Sequence, residues 1–238
     1  MRLNWNYIRF FGLLLVTVLL YAFASHRNSA RLVENVAIQF KDESKPFVTR
    51  NTVDKLLIQS EGNVTGMPKE KLALNEMELR VKSHPIVKNA DVYVTVAGTV
   101  GVAIEQRMPI ARVYGNTSFY IDQEGKEMPL SENFSARVPI VNGIGKQDIP
   151  TITQLILYIK NDDFLNKHII GVNKQKDNQY ILIPRKLNYE IVLGEVTSLA
   201  HKLTNYKAFY QKAQKDKTLD TYRYINLKYA NQVVCKKR

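Results

Sequence analysis

The segment ADVYVTVAGTVGVAIE, residues 90–105, decides how the first half of the chain folds. Val92, Val94 and Val96 alternate with Asp91, Tyr93 and Thr95, and the pattern resumes at Val100, Val102 and Ile104 after Gly98-Thr99. Side chains along a strand point to opposite faces in turn, so this period of two predicts two half-buried strands. A glycine-bearing turn between them makes a hairpin with one apolar face. Such a face needs a cover, and the residues upstream supply one. Asn75-Glu76-Met77-Glu78 has the capping-box pattern of a helix start, with Leu74, Met77, Leu79 and Val81 turned to the core. His84-Pro85 stops that helix, because proline disfavours helical geometry in the residue before it. Earlier, Asn51 or Thr52 caps a shorter helix with Val53, Leu56 and Leu57 on one face, closed by Glu61-Gly62-Asn63. Residues 32–40 alternate again, with Val36, Ile38 and Phe40 on one side. The order is β-α-α-β-β over residues 32–107.

Beyond this unit, Arg107-Met108-Pro109 reads as a joint. Short strands follow at residues 110–114, 119–122, 137–141, 169–174, 179–183, 189–193, 221–228 and 232–235. Helical spacing marks residues 150–163 (Ile152, Leu155, Ile156, Ile159) and 195–213 (Leu199, Leu203, Tyr206, Tyr210). Residues 108–238 therefore read as a mixed β domain with two helices, and the fold class is α+β.

Residues 10–25 (FFGLLLVTVLLYAFAS) carry no charge. As a helix they cover about 24 Å, short of the ~30 Å hydrocarbon core but workable if Arg9 snorkels and Trp5 and Tyr7 sit in the interface. Phe10, Leu13, Leu14, Leu15, Val16, Leu19 and Leu20 would face lipid. The run reads as a transmembrane anchor between a tail (1–9) and a linker (26–31). A cleaved secretory signal, with Ala22-Phe23-Ala24 as its cleavage site, is the alternative. Both place the rest of the chain outside the cytoplasm.

The 238 residues carry a net charge of +12. For an exported domain this fits either a merely solvated, soluble surface or contact with anionic lipid head groups, acidic envelope polymers or acidic partner proteins, rather than nucleic acid. Cys235 is the sole cysteine, so no disulfide forms within the chain. The four histidines lack metal-ligand spacing, and no serine lies in a GxSxG or SxxK motif. Asn142-Gly143-Ile144-Gly145-Lys146 lacks the spacing of a phosphate loop and reads as a turn. Asp162-Asp163 reads as a solvated acid pair at a helix end. No metal, cofactor or catalytic constellation is expected. Tyr222, Tyr224 and Tyr229 crowd the final strands, which suits either strand propensity or a protein interface.

Five segments, in order, resemble the FtsQ/DivIB family. Residues 84–92 (HPIVKNADV) resemble its helix–proline–strand passage, and 104–111 (IEQRMPIA) its domain junction. Residues 119–125 (FYIDQEG) resemble its strand and turn, 191–194 (IVLG) the strand before its long helix, and 224–229 (YINLKY) its terminal strand. The resemblance implies a bitopic inner-membrane protein with a POTRA domain and a β domain, mostly on the extracytoplasmic side and at the division septum. It implies a non-catalytic divisome scaffold that binds FtsB-like and FtsL-like bitopic proteins, linking early and late division components. The partner-binding residues it implies are Tyr224, Asn226, Lys228, Tyr229, Ala230 and Gln232. Lys228 stands in place of the family's arginine and Asn226 in place of an aspartate. The alternatives are a POTRA-containing assembly or secretion factor and an exported, anchored enzyme.

Overall fold

The structure, a computed structural model, describes residues 5–29, 31–58, 64–115, 117–229 and 232–238. The expected helix stop at Glu61-Gly62-Asn63 lies outside them. The chain divides into two units, Met1–Gln106 and Arg107–Arg238.

The first unit begins with helix α1 (Trp5–Ser29). It is longer than the uncharged run: residues 5–9 of the expected tail and 26–29 of the expected linker are helical. Its stretch Tyr7–Asn28, 22 residues, is long and apolar enough to cross a membrane, covering about 33 Å. Phe10, Leu13, Leu14, Leu15, Val16, Leu19 and Leu20 are all exposed. Because consecutive residues turn about 100° around a helix, leucines and valine at 13–16 make every side apolar. The Arg9 guanidinium lies 5.9 Å over the Trp5 ring, one cationic and one amphipathic group at the same end.

Three strands and two helices follow: β1 (Asn35–Phe40), α2 (Arg50–Ile58), α3 (Leu74–Ser83), β2 (Val87–Val94) and β3 (Thr99–Gln106). The sheet order is β1-β3-β2, with β1 parallel and β2 antiparallel to β3. Parallel pairing of β1 and β3 requires a long crossover, which the two helices provide. Ile38, Val53, Leu57, Met77, Val81, Val92, Val100, Val102 and Ile104 form the core. Gln106 is buried beneath the loop between β1 and α2; its Oε1 accepts from Val48 N at 2.9 Å and its Nε2 donates to Lys45 O at 3.2 Å.

The helix starts differ from expectation. Thr49 caps α2, its Oγ1 accepting from Thr52 N at 3.3 Å, so Asn51 and Thr52 lie inside the helix. Helix α3 begins one residue before Asn75, behind Ala73, and the capping box does not form. Glu78 instead accepts from Lys82 and from Val92 N. Leu79 points to solvent, and Val96 lies in the hairpin turn, 76% exposed. Gly98 takes φ +98, and a Cβ there would stand 2.6 Å from the Leu32 carbonyl oxygen, so only glycine fits this turn.

In the second unit the described strands form a nine-stranded sheet. They are β4 (Pro109–Tyr114), β5 (Phe119–Asp122), β6 (Glu127–Pro129), β7 (Ile140–Asn142), β8 (Ile169–Lys174), β9 (Tyr180–Pro184), β10 (Glu190–Gly194), β11 (Tyr222–Asn226) and β12 (Val234–Lys237). Their order is β12-β11-β10-β9-β8-β7-β4-β5-β6. Helices α4 (Ile149–Lys160), α5 (Asp163–His168) and α6 (Leu199–Lys215) contribute to one core with Val113, Val141, Val172, Leu182, Ile191 and Ile225. β6 and α5 are additions to the expected elements, so the described residues of this unit hold three α-helices rather than the expected two.

Asp162 explains α5. Its Oδ1 accepts from Leu165 N at 3.0 Å as an N-cap, and its Oδ2 pairs with Lys207 of α6. Burial pushes this carboxyl up, but the Lys207 ammonium and the Leu165 amide outweigh it and hold the group below its ordinary range. Asp162 is thus structural, while Asp163 is solvent-exposed as expected. The loop at 142–146 is likewise a turn: Gly145 N donates to Asp148 Oδ2 at 2.8 Å, and Lys174 Nζ donates to Oδ1 at 2.6 Å.

A polar chain runs through this core. His168 Nε2 lies 2.5 Å from Tyr206 Oη, which lies 3.0 Å from Tyr189 Oη, and the Phe164 ring stacks on the imidazole. Burial depresses the His168 pKa to about 4 and raises that of Tyr189 to about 12. A histidine held neutral in the fold but free to protonate when unfolded stabilises the fold fully above its unfolded pKa, and that contribution is lost as pH falls toward 4. Thermal melts should therefore show Tm falling between about pH 6.5, the ordinary histidine value, and about pH 4. His168→Gln should flatten that slope. The partly buried His84, also depressed by desolvation, will leave a residual slope.

Candidate protein-interaction surface

The last two strands of the sheet end in an edge. β11 runs parallel to β10, Ile191 opposite Ile225 and Val192 opposite Asn226. Ile225 and Leu227 are buried and anchor this segment to the core, while the Tyr222 ring packs edge-on against Phe209 at 5.2 Å. The strand stops at Asn226, two residues before the expected end, because the Asn226 Oδ1 accepts from Lys228 N at 3.0 Å. That asparagine turn redirects the backbone. Leu227 N still donates to Val192 O at 2.8 Å, so the exit is pinned to β10.

Lys228 and Tyr229 therefore leave the sheet as exposed residues at the start of the β11–β12 connection, Tyr229 52% exposed. The Lys228 stem crosses Gly194, where a Cβ would meet Lys228 Cγ at 2.9 Å and where φ is +75. Gly194→Ala should cost about 1 kcal/mol in a chemical melt, through backbone strain alone. It should also displace Lys228, visible as a shift of that residue's amide resonance.

β12 returns antiparallel to β11, Ile225 opposite Cys235 and Asn226 opposite Val234. Among the described residues it is the last strand in the sheet order, so its outer backbone groups face no neighbour there. An unpaired edge is a template for a further strand. Arg223, Lys228, Lys236, Lys237 and Arg238 stand between residues 222 and 238, which hold no acidic side chain. Lysines on an edge hinder indiscriminate pairing, and the same charges favour an acidic segment. The edge is fastened at its end: Arg238 N donates to Thr221 O, and its guanidinium donates to Asn188 O, both at 2.9 Å. Cys235 is half-buried against the core, and burial pushes its thiol up, away from the reactive thiolate.

Of the six residues singled out from the sequence, Tyr224 and Asn226 lie half-buried on β11 and Lys228 and Tyr229 follow it, with Gln232 exposed just before β12. Ala230 lies outside the described residues. The final strand, expected at residues 232–235, lies two residues later, at Val234–Lys237, so Lys236 and Lys237 of the edge strand itself are not among the expected site residues. No cluster of three or more potential metal ligands occurs among the described residues.

The motifs at the head of this unit also gain a reason. Arg107 Nη1 donates to Asp122 Oδ2 at 2.7 Å, and Asp122 Oδ1 accepts from Glu124 N and Lys126 N at 2.9 and 2.8 Å. One buried carboxylate thus ties the segment entering β4 to the turn after β5.

A β-α-α-β-β unit with this strand order, followed by a mixed β unit with helices on its core, defines a two-part α+β protein of the POTRA-bearing class. Residues 31–105 match a POTRA-like domain, and residues 108–236 match the family described as FtsQ/DivIB, C-terminal related. The chain belongs to the FtsQ/DivIB family. It is similar to the cell division protein FtsQ of Geotalea daltonii, 22% identical over 179 residues, 70% of this chain and 64% of that protein. It is also similar to the cell division protein FtsQ of Rhodothermus marinus, 26% identical over 170 residues, 65% of this chain and 62% of that protein. The chain thus spans less than two thirds of the length of these relatives.

Proposed function

We propose that this chain is a non-catalytic scaffold of cell division, anchored by α1 as a single span. In this reading residues 10–25 form the centre of the anchor, 32–107 a POTRA domain and 108–238 the β domain. The bulk of the chain lies on the extracytoplasmic side of the inner membrane, at the septum. Its partners are an FtsB-like and an FtsL-like bitopic protein, with other divisome components. The observation that carries the reading is the basic, open β12 edge beside Lys228 and Tyr229, in a chain of this family. An acidic partner segment would add as a strand, its backbone pairing with β12 and its side chains meeting Tyr224, Asn226, Lys228, Tyr229, Ala230 and Gln232. Residues 108–236 match the FtsQ/DivIB C-terminal family, which speaks against an outer-membrane assembly factor with a terminal barrel.

Imaging tests this reading. A fluorophore that matures only in the cytoplasm, fused to the N-terminus, should give a band at the division site. An even membrane signal would contradict the division role. Separation of the tag from the body would mean cleavage after Ala24 and remove the anchor.

A further inference from the structure

Three segments of the first unit meet on one surface. Arg31 Nη1 and Lys69 Nζ both donate to the Val96 carbonyl, each at 2.7 Å. Val33 N donates to Met67 O at 2.9 Å, Lys69 N to Arg31 O at 3.3 Å and Glu34 N to Gly98 O at 3.0 Å. Residues 31–34, 67–71 and 95–99 are thereby one rigid patch. Two branched apolar side chains project from it, Val96 at 76% and Leu32 at 51% exposure. The same three segments carry Arg31, Lys69 and Lys71 against the acidic Glu34 and Glu70.

The place of this patch follows from chain length. Arg31 is three residues beyond Asn28, where the span-length stretch of α1 ends. Three residues reach at most about 11 Å, and the polar head-group layer on each side of a bilayer is ~5–8 Å deep. Arg31, and with it the turn it holds, lies in or at that layer whenever α1 spans. Apolar tips ringed by cations suit such an interface: the apolar groups enter the head-group boundary and the cations meet lipid phosphates.

We propose that this patch docks on the anionic phospholipid surface beside the anchor, with Val96 and Leu32 at the head-group boundary and Arg31, Lys69 and Lys71 against phosphates. The proposal rests on the reading of α1 as a membrane span.

The test uses the full chain in nanodiscs, with Cys235→Ser and a fluorophore on Val96→Cys, and doxyl-labelled lipid as quencher. A control label is placed on Leu79→Cys, an exposed position on α3. Failure to enter discs would overturn the span reading and the proposal with it. In discs containing phosphatidylglycerol, quenching at 96 should exceed that at 79, and Lys71→Glu should weaken the docking by at least about fivefold, the contribution of one basic residue near an anionic surface. Quenching at 96 should fall toward the control in phosphatidylcholine discs and with Lys71→Glu, whose side chain is exposed and takes no part in holding the turn. Incorporation with equal quenching at the two positions would overturn the docking surface alone. Quenching at 96 unchanged by lipid charge and by Lys71→Glu would overturn its assignment to anionic lipid.

Discussion

Asp122→Ala should lower the stability of the second unit by about 3–5 kcal/mol, the usual consequence of removing one partner from a buried ion pair. The Asp122 side chain is 4% exposed and that of Arg107 14% exposed. The substitution removes the acceptor of three donors at once: the Arg107 guanidinium and the Glu124 and Lys126 amides. Glu124, 3.5 Å from the same guanidinium, is more exposed and replaces only part of the interaction. Asp122→Asn should fall between, since its amide oxygen can still accept from the turn but carries no charge. Urea unfolding of the two variants against the parent chain measures both values. A loss below about 1 kcal/mol for the alanine variant would mean that the pair behaves as a surface salt bridge. Against the 5–15 kcal/mol typical of a folded domain, the expected loss is enough to reduce the population of folded protein in cells.

The second large effect concerns binding. Tyr229→Glu should abolish association with an FtsB-like partner while leaving the thermal melt unchanged. Tyr229 is exposed and follows the Asn226 turn, outside the strand ladder, so its loss removes no core contact. An exposed tyrosine beside a lysine is the kind of anchor that dominates an interface, costing 2 kcal/mol or roughly thirtyfold in affinity when lost. The introduced carboxylate adds repulsion against an acidic segment. Titration of the full chain with the partner measures this directly, and unchanged affinity would sink the placement of the site at Tyr229. Lys228→Glu should weaken binding in the same direction.

Much of the first unit was legible because its signals are local. The valine alternation around Gly98 and the proline after His84 each act within a few residues, and they fixed both strands and the end of α3. Helix starts were harder. Asn75 and Glu78 have the spacing of a capping box, yet Glu78 finds better partners in Lys82 and the β2 backbone, and the helix starts earlier behind Ala73. In the second unit α5 escaped notice, because its six residues are too few for a period and its cap depends on Lys207, 45 residues away. The His168–Tyr206–Tyr189 chain has the same character, with partners 38 and 17 residues apart. At the candidate site, Tyr224 to Tyr229 could be named from motif order. That Asn226 ends β11, and that β12 forms the edge, depends on a side-chain turn and a pairing register that composition does not encode.

The most direct test of the scaffold reading is amide hydrogen exchange on the full chain, with and without the FtsB-like and FtsL-like pair. Strand addition would protect the amides of β12 that face away from β11, within Val234–Lys237, together with those of Lys228 and Tyr229. Protection confined to that edge is the expected result. Binding that protects other parts of the chain and leaves β12 exchanging freely would contradict it.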